Sequence, residues 1–266
     1  MILSNKMDAS CYFLKKNGVD KLRFGVILGT GFGTFINSME DAIVIPYDSI
    51  PHFPEVTVEG HAGNLVYGSL HAIPILAMQG RFHRYEGYTN DQIGYPIHVM
   101  KALGVDILII TNAAGGLNPA FKVGDLMIVE DHIHLMGGAY NTLGNQFREG
   151  PCYDEELKEH LFKISIQKKR PVQKGILSWM PGPSFETRAE INMLRKLGAD
   201  AVTMSTIPEA IIAHSLEIRI LGISCISNQC AGIEEGLINT AEVMMAVRSS
   251  AETFSRLIFH LLDDLQ

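Results

Sequence analysis

Short apolar runs constrain the fold of this chain more than any other feature of its sequence. Several of the eight runs are rich in Val, Ile and Leu and lack the apolar–polar alternation of a strand with one face in water. Strands that are covered on both faces have this composition. The runs therefore predict a central β-sheet with helices on both sides. They span residues 23–28, 65–67, 72–78, 107–111, 126–129, 175–179, 201–204 and 218–227.

Four segments between or after these runs carry the start signal of a helix. In each, a Thr or Asn side chain and a Gln or Glu three residues later can satisfy backbone N–H groups reciprocally, as in a capping box. The caps are Thr89, Thr187, Thr206 and Asn239. After the last cap, apolar residues from Val243 to Leu265 recur along one stripe, which predicts a long amphipathic helix.

Nothing in the composition divides the chain into parts. It has no linker rich in Pro, Gly or Ser, no internal repeat and no segment of low complexity. With 266 residues, of which 47% are hydrophobic, the chain can bury a sizeable core. We predict one α/β domain over residues 1–266, with a central mixed β-sheet flanked by helices.

The charge and the cysteines exclude several classes of protein. The net charge of −7 gives no overall field that would attract nucleic acid or an anionic membrane. No window approaches the roughly 18 apolar residues of a membrane span, and the first residues lack the apolar core of a signal peptide. The four cysteines fit neither a zinc knuckle nor a redox pair, so we expect reduced thiols in a cytoplasmic protein. They are Cys11, Cys152, Cys225 and Cys230.

A strongly polar segment directly follows the predicted strand at residues 72–78. Residues 80–88 (Gly-Arg-Phe-His-Arg-Tyr-Glu-Gly-Tyr) bring Arg81, His83 and Tyr85 together between two glycines. So many polar groups make poor core material, because each buried donor needs a partner. Two interpretations stay open from these residues alone. The segment is either the lip of an anion pocket, with Arg81 as a fork of donors, or a solvated loop with mixed charges.

Two segments rich in small residues occupy equivalent positions after other predicted strands. Residues 29–33 are Gly-Thr-Gly-Phe-Gly, and residues 111–116 are Thr-Asn-Ala-Ala-Gly-Gly. Bare backbone lets an anion or a flat ligand approach N–H groups closely, with the Thr30 hydroxyl beside them. Ligands of α/β sheets bind at this edge. For each segment considered singly, a plain turn is the alternative. Residues 29–33 match neither a Walker A loop nor the dinucleotide fingerprint.

Three further strand ends carry side chains suited to a planar, hydrogen-bonding ligand. Phe185 could pack on such a ligand, and Glu186 could accept an N–H from it. Ser205 could donate to an anion, and Asn228 offers both a donor and an acceptor to a base edge. The alternative for Glu186 is a first-turn glutamate that the helix dipole stabilises.

Metal and nucleophile chemistry are not indicated. His132 and His134 would share one face of a strand, but no third ligand is evident nearby, so we expect ordinary hydrogen-bonded histidines. No nucleophile elbow or other signature of a catalytic serine or cysteine is present.

In chain order, six segments resemble the trimeric class of purine nucleoside phosphorylases, and the resemblance covers nearly the whole chain. They are residues 29–33, 58–63 (Val-Glu-Gly-His-Ala-Gly), 80–88, 111–119, 182–187 (Gly-Pro-Ser-Phe-Glu-Thr) and 204–209. The resemblance implies the nucleoside phosphorylase fold and reversible phosphorolysis of 6-oxopurine (deoxy)ribonucleosides to free base and sugar 1-phosphate. It further implies a homotrimer, with phosphate as co-substrate and no metal or organic cofactor.

The same resemblance assigns residues to parts of the substrate. Phosphate would be held by Thr30, His61, Arg81, His83, Ala113 (through its backbone N–H) and Ser205. Ribose would be contacted by Tyr85, Met204, Thr240 and Phe147, the last from a neighbouring subunit. The purine would be held by Phe185, Glu186 and Asn228. The catalytic group would comprise His83, Glu186 and Asn228. Asn228 would stabilise the departing purine at N7 and O6, and Glu186 would select a base with an N1–H donor.

Three positions depart from the family pattern. Thr30 stands where Ser is usual and keeps the hydroxyl, and residues 228–232 (Asn-Gln-Cys-Ala-Gly) differ from the lysine-containing version of some relatives but keep the asparagine. Thr240 takes the place of a His that commonly contacts the ribose 5′-hydroxyl, which leaves room at the 5′ end for a less polar group. Two alternatives therefore stay open. One is 5′-methylthioadenosine phosphorylase, which typically has Asp in place of Asn228, and the other is a non-catalytic nucleobase-binding protein on the same scaffold.

Overall fold

A nine-stranded sheet forms the centre of the described part of the chain, which comprises residues 2–20, 22–57, 61–135, 150–230 and 240–265 of the computed structural model. The strand order is β2-β3-β4-β1-β5-β8-β7-β6-β9. The strands are β1 (Phe24–Leu28), β2 (Glu40–Pro46), β3 (Asn64–Leu70), β4 (Ile73–Gln79), β5 (Ile107–Gly116), β6 (Leu126–His134), β7 (Gln173–Trp179), β8 (Ala201–Thr203) and β9 (Arg219–Gln229). The helices are α1 (Ile2–Lys16), α2 (Asn90–Ala102), α3 (Glu155–Gln167), α4 (Arg188–Lys196), α5 (Ile207–Ser215) and α6 (Thr240–Asp264).

Both faces of the central strands are buried, as the apolar runs predict. Leu108 and Ile110 of β5 belong to a core built with α1, α2 and α5. Ile107 and Ile109 of the same strand belong to a second core built with α3 and α6. Successive strand side chains point to opposite faces, so a strand between two helical layers needs an unbroken apolar run. Because parallel and antiparallel pairs both occur, the predicted mixed sheet flanked by helices is confirmed.

Strand β9 closes half of the sheet into a ring. It pairs in parallel with β5 and antiparallel with β6, while β5 also pairs with β8. The strands β5, β8, β7, β6 and β9 therefore form a closed circuit. The register sets Gly115 opposite Asn228 on one side and opposite Val202 on the other. Three strands thus meet at one point.

The structure corrects the predicted strands at one edge and at the ends of four others. Strand β2 has no counterpart among the predicted runs, because it is an edge strand with mostly exposed side chains. Strands β3, β5, β6 and β9 extend past their predicted ends at residues 67, 111, 129 and 227. The interpretation of residues 111–116 as a turn is therefore wrong, since they pair with β9. Small residues at 111–116 let neighbouring side chains pack close to the strand backbone. A Cβ on Gly115, for example, would lie only 2.6 Å from Cys230 Sγ.

Two of the four predicted caps are confirmed. Thr89 and Thr187 accept the N–H three residues later, and both form complete capping boxes. The helix start predicted at Thr206 is confirmed, because α5 begins at the next residue, but the capping box is not formed there: Thr206 has a φ of 75° and its side chain makes no cap hydrogen bond. Asn239 lies outside the described residues.

The stripe predicted for the last helix packs against the sheet. Residues of α6 from Val247 to Leu262 contribute its buried side chains, with Phe254 against Phe32 and Phe35 of a short helical turn. In the part of the chain that the structure describes, no helix has both the length and the hydropathy of a membrane span. Cys225 and Cys230 are buried free thiols, and Cys11 and Cys152 are partly buried ones.

Candidate active site

A cavity of about 650 Å³ lies where the polar segments meet. Its wall includes residues from all the strand ends that the sequence singles out. The predicted site residues in that wall are Thr30, Arg81, His83, Tyr85, Ala113, Phe185, Glu186, Met204, Ser205 and Asn228. His61 stands next to the wall, with Nε2 3.3 Å from Thr30 Oγ1. Phe147 lies outside the described residues, and so does the side chain of Thr240, whose backbone begins α6.

Arg81 is the buried centre of one part of the cavity, with only 1% of its surface exposed. Its Nη1 donates to Ser205 Oγ at 3.0 Å and to Thr206 Oγ1 at 2.9 Å. Its Nη2 donates to two backbone carbonyls, those of Ile27 and Thr111. Only Nε has no partner in the described structure. The sequence predicts an open fork of donors, and the structure corrects this, because four of the five N–H groups already have partners.

Glu209 compensates the charge of Arg81. Its carboxylate lies 3.3 Å from Arg81 Nη1, and the two side chains are 4% and 2% exposed. Burial lowers the pKa of Arg81, and Glu209 opposes that effect. A buried guanidinium is strongly destabilising without such a partner. Glu209 therefore holds a charge in place at the bottom of the cavity, a role that the sequence misassigns to a helix cap.

Thr206 holds Ser205 against Arg81 through an unusual backbone conformation. A positive φ is rare for a β-branched residue and persists only where the surroundings enforce it. Here the Thr206 hydroxyl accepts from Arg81 Nη1 and from Asn112 Nδ2, each at 2.9 Å. The strain is thus part of the arrangement that fixes Ser205 in the wall. Sequence reasoning missed both Thr206 and Asn112, because their signal is a tertiary hydrogen-bond pattern.

His61 is a neutral hydrogen-bond donor at the same part of the cavity. The backbone N–H of Arg81 donates to Nδ1 of His61 at 2.8 Å, while the Arg81 carbonyl lies farther from the same nitrogen at 3.3 Å, which favours the neutral tautomer with its proton on Nε2. Burial is the largest cause that lowers the pKa of His61 to about 4, and the neighbouring His83 and Arg81 lower it further. At neutral pH, therefore, an N–H group and not an imidazolium points towards Thr30 Oγ1.

His83 is oriented by Glu86. Its backbone N–H and its Nδ1 donate to Glu86 Oε1 at 2.7 and 2.8 Å, which leaves Nε2 as the free nitrogen of a ring in the cavity wall. Burial raises the pKa of Glu86, but hydrogen bonds from His83 and Thr57 outweigh it and lower that pKa to about 2. The ring of Tyr85 stacks on His83 at 4.7 Å between centroids. Of the two interpretations of residues 80–88, these contacts exclude the solvated loop and favour the lip of a pocket.

We call Thr30, His61, Arg81, His83 and Ser205 the Arg81 cluster. Met204, which follows β8, lines the cavity beside this cluster and packs against residue 182. A Cβ at Gly182, where φ is +66°, would lie 2.4 Å from Met204 Sδ, so only glycine fits there. Close packing therefore sets the position of Met204.

A second group of residues, Gly115, Phe185, Glu186, Asn228 and Cys230, is called the Asn228 cluster. Asn228 Oδ1 accepts from Ser227 Oγ at 2.8 Å, and its Nδ2 donates weakly to the Gln229 carbonyl at 3.3 Å. One N–H of Nδ2 thus stays available at the cavity. The thiol of Cys230 fills the space over Gly115.

Glu186 is not a first-turn helix residue, as one interpretation held. Helix α4 begins at Arg188, and its cap is made by Thr187 with Glu190. Glu186 precedes the cap and lines the cavity, where burial raises its pKa. Next to it, Phe185 keeps half of its surface exposed. A carboxylate and an aromatic ring thus stand side by side in the wall.

Histidines elsewhere have ordinary partners. His132 Nδ1 lies 3.2 Å from the Tyr153 hydroxyl, and His134 stacks on Trp179. Among the described residues, no group of three or more His, Cys, Asp or Glu side chains is arranged to hold a metal ion.

Comparison with known proteins agrees with this geometry. The model of the phosphorylase superfamily matches residues 23–263. The chain is 43% identical over 265 residues to purine nucleoside phosphorylase 1 of Bacillus subtilis, which covers 96% of this chain and 97% of that protein. A schistosome purine nucleoside phosphorylase in complex with hypoxanthine superposes with a TM-score of 0.90 at 36% identity, over 98% of both chains. The Schistosoma mansoni enzyme in complex with adenosine gives a TM-score of 0.88 at 34% identity, over 98% of both chains.

Proposed function

This chain belongs to the phosphorylase superfamily and within it to the purine nucleoside phosphorylases, and on that premise we propose that it cleaves 6-oxopurine nucleosides with phosphate. The family is one of pentosyltransferases, so the chain is an enzyme that transfers a pentosyl group. The proposed substrates are inosine, guanosine and their 2′-deoxy forms. The observation that carries the proposal is a single cavity that joins an anion-binding set of donors to a carboxylate and a carboxamide.

The Arg81 cluster supplies what a bound phosphate needs. Thr30 and Ser205 offer hydroxyls, His61 offers a neutral N–H, and Ala113, whose backbone N–H we propose as a further donor, lines the same wall. The Arg81 charge lies behind them, partly compensated by Glu209. Donors that are fixed before the substrate arrives cost little reorganisation during the reaction. In our proposal this cluster binds phosphate and directs one of its oxygens at C1′ of the sugar.

The Asn228 cluster supports the departure of the purine. As the glycosidic bond breaks, positive charge grows on the sugar and negative charge grows on the base. The phosphate dianion faces the first charge, and Asn228 donates from Nδ2 to the N7–O6 edge to stabilise the second. Glu186 accepts the N1–H that a 6-oxopurine carries and a 6-aminopurine lacks. Phe185 packs beside the base. No covalent intermediate is required.

The resemblance in sequence supports further proposals about the protein as a whole. We infer a cytoplasmic homotrimer that acts in purine salvage, in which Phe147 of one subunit covers the ribose at its neighbour and Thr240 faces the 5′ end. Tyr85 and Met204 contact the ribose. Light scattering coupled to size-exclusion chromatography tests the oligomer, and a monomer at assay concentration contradicts it.

The test is initial-rate cleavage of inosine, guanosine, adenosine and 5′-methylthioadenosine, each with and without phosphate. We expect turnover of inosine and guanosine that depends strictly on phosphate. Preference for adenosine, which a structural relative binds, would overturn the 6-oxopurine assignment. Preference for methylthioadenosine would assign the enzyme to the sister activity. Binding of hypoxanthine without any turnover would favour a binding protein, and release of base without phosphate would exclude a phosphorylase.

A further inference from the structure

Glu86 is held from two segments of the chain at once. Its Oε1 accepts two hydrogen bonds from His83, on its own segment. Its Oε2 accepts two from Thr57, through the backbone N–H at 3.2 Å and the hydroxyl at 2.5 Å. A carboxylate has about four lone-pair positions, and all four are occupied here. The Glu86 side chain is only 3% exposed.

The segment that carries Thr57 also carries His61. That histidine is tied to the other segment by the N–H of Arg81, at 2.8 Å from Nδ1. Hydrogen bonds therefore join both Thr57 and His61 to residues 81–86. Those from Thr57 orient Glu86 and through it His83, and the one to His61 orients that ring. The two imidazoles lie next to each other, with ring centroids 5.2 Å apart, and His61 Nε2 lies 3.3 Å from Thr30 Oγ1.

We propose that Thr57 is a positioning residue for phosphate: its hydroxyl fixes the Glu86 carboxylate, which in turn holds His83 with Nε2 in the cavity wall. The proposal rests on the proposed function and names a residue that the sequence did not point to. In the described part of the chain, Thr57 is not in the cavity wall and its side-chain hydroxyl bonds to Glu86, so we expect its effect to pass through Glu86.

Loss of the hydroxyl should free the Glu86 side chain to rotate. Oε2 would keep one longer hydrogen bond, from the Thr57 backbone, and His83 would lose a rigid acceptor for Nδ1. A ring with two orientations presents Nε2 to phosphate for only part of the time, which weakens phosphate binding by that fraction. The purine contacts, made by other elements, would not change.

Thr57 is well suited to a substitution test, because it is exposed and its replacement should not disturb the core. The test variant is Thr57→Val, which keeps the shape and removes the hydroxyl. Thr57→Ser restores the hydroxyl. The matched control is Ser49→Ala, which removes an exposed hydroxyl upstream in the same region that bonds only to the Pro46 carbonyl.

We expect Thr57→Val to raise KM for phosphate about tenfold, the size expected for a lost hydrogen bond to a charged group. KM for inosine and the melting temperature should stay at wild-type values, as should all parameters of Ser49→Ala. Thr57→Ser should recover most of the phosphate affinity. Calorimetric titration with inorganic phosphate alone gives the same comparison without turnover.

The outcomes separate the inference from the proposed function. If wild-type protein neither binds phosphate nor cleaves inosine, the function itself fails. If wild-type protein is active and Thr57→Val has an unchanged KM for phosphate, the role of Thr57 is wrong. If Thr57→Val raises KM for phosphate and KM for inosine equally, or if Thr57→Ser does not restore KM for phosphate, the effect is a general structural one. Either result would overturn the proposal that Thr57 positions His83 through Glu86.

Discussion

The Arg81 cluster and the Asn228 cluster line the same cavity but are built in opposite ways. In the first, a buried charge has a buried counter-ion, and Arg81 and its neighbours are cross-linked by hydrogen bonds from four strand ends. In the second, Phe185 is half exposed, and among the described residues the Asn228 side chain hydrogen-bonds only with its neighbours in sequence, Ser227 and Gln229. The first cluster is preorganised for one ion of fixed shape. The second cluster has donors and acceptors without partners at the cavity, and we propose that the purine base forms hydrogen bonds with them.

The largest expected effect breaks the charge pair under the Arg81 cluster. Glu209→Leu leaves the Arg81 guanidinium buried without a carboxylate, so the free energy of unfolding should fall by about 3–5 kcal/mol. Phosphate binding should be lost with it. Urea denaturation measures the first effect and calorimetry the second.

The control for that variant is an exposed pair of the same chemistry. Glu156, whose side chain is 88% exposed, contacts Arg219 at 2.8 Å. Glu156→Leu should change the unfolding free energy by less than about 1 kcal/mol. Equal losses in the two variants would mean that burial of the Arg81 pair has no special importance.

The second prediction changes the chemistry of the Asn228 cluster without altering its size. Asn228→Asp replaces a donor with an acceptor that suits a 6-amino group, so the ratio of kcat/KM for adenosine to that for inosine should rise at least about tenfold. Steady-state rates on both nucleosides measure the ratio. Ser184→Asp, which adds a carboxylate at a neighbouring exposed position, should leave it unchanged. An unaltered ratio in Asn228→Asp would remove Asn228 as the selector.

The third prediction uses the raised pKa of Glu186, which follows from its burial. The carboxylate accepts N1–H only above its pKa, and acidification protonates it. Because that pKa is raised, hypoxanthine affinity should begin to fall at a higher pH than an ordinary glutamate would give. Glu186→Gln should bind about tenfold more weakly at neutral pH and lose this pH dependence. Calorimetry over a pH series tests it, and an identical pH profile in the two proteins would refute the assignment.

The smallest expected effect concerns the exposed ring of the second cluster. Phe185→Ala should raise KM for inosine roughly threefold to tenfold, the range of an aromatic stacking contact. KM for phosphate and the unfolding free energy should not change, because half of the ring is already in water. Met193→Ala, an exposed apolar residue on α4 outside the cavity wall, is the control. An equal change in KM for phosphate would show that the two clusters are not independent.

Much of the fold was predictable because strand and helix signals are local. The apolar run of β5 predicts a strand, and the capping boxes at Thr89 and Thr187 predict helix starts, in each case from only a few neighbouring residues. Strand β2 escaped prediction because an edge strand needs no apolar face. Thr206 escaped because its pattern matches a cap, while its hydroxyl is engaged by Arg81 and Asn112 from distant parts of the chain.

Sequence reasoning alone was enough to choose the candidate site segments, because glycines, imidazoles and amides gather at the predicted strand ends, the edge at which ligands of α/β sheets bind. It placed Arg81, Glu186 and Asn228 among the candidates without contact information. The pairing of Glu209 with Arg81 and that of Thr57 with Glu86 became apparent only from the three-dimensional structure. Those pairings join residues up to 128 positions apart, as in Arg81 and Glu209, and depend on the ring closure of the sheet and the positive φ of Thr206. A hydrogen bond or an ion pair between residues far apart in the chain depends on their distance in space, which no local sequence pattern encodes.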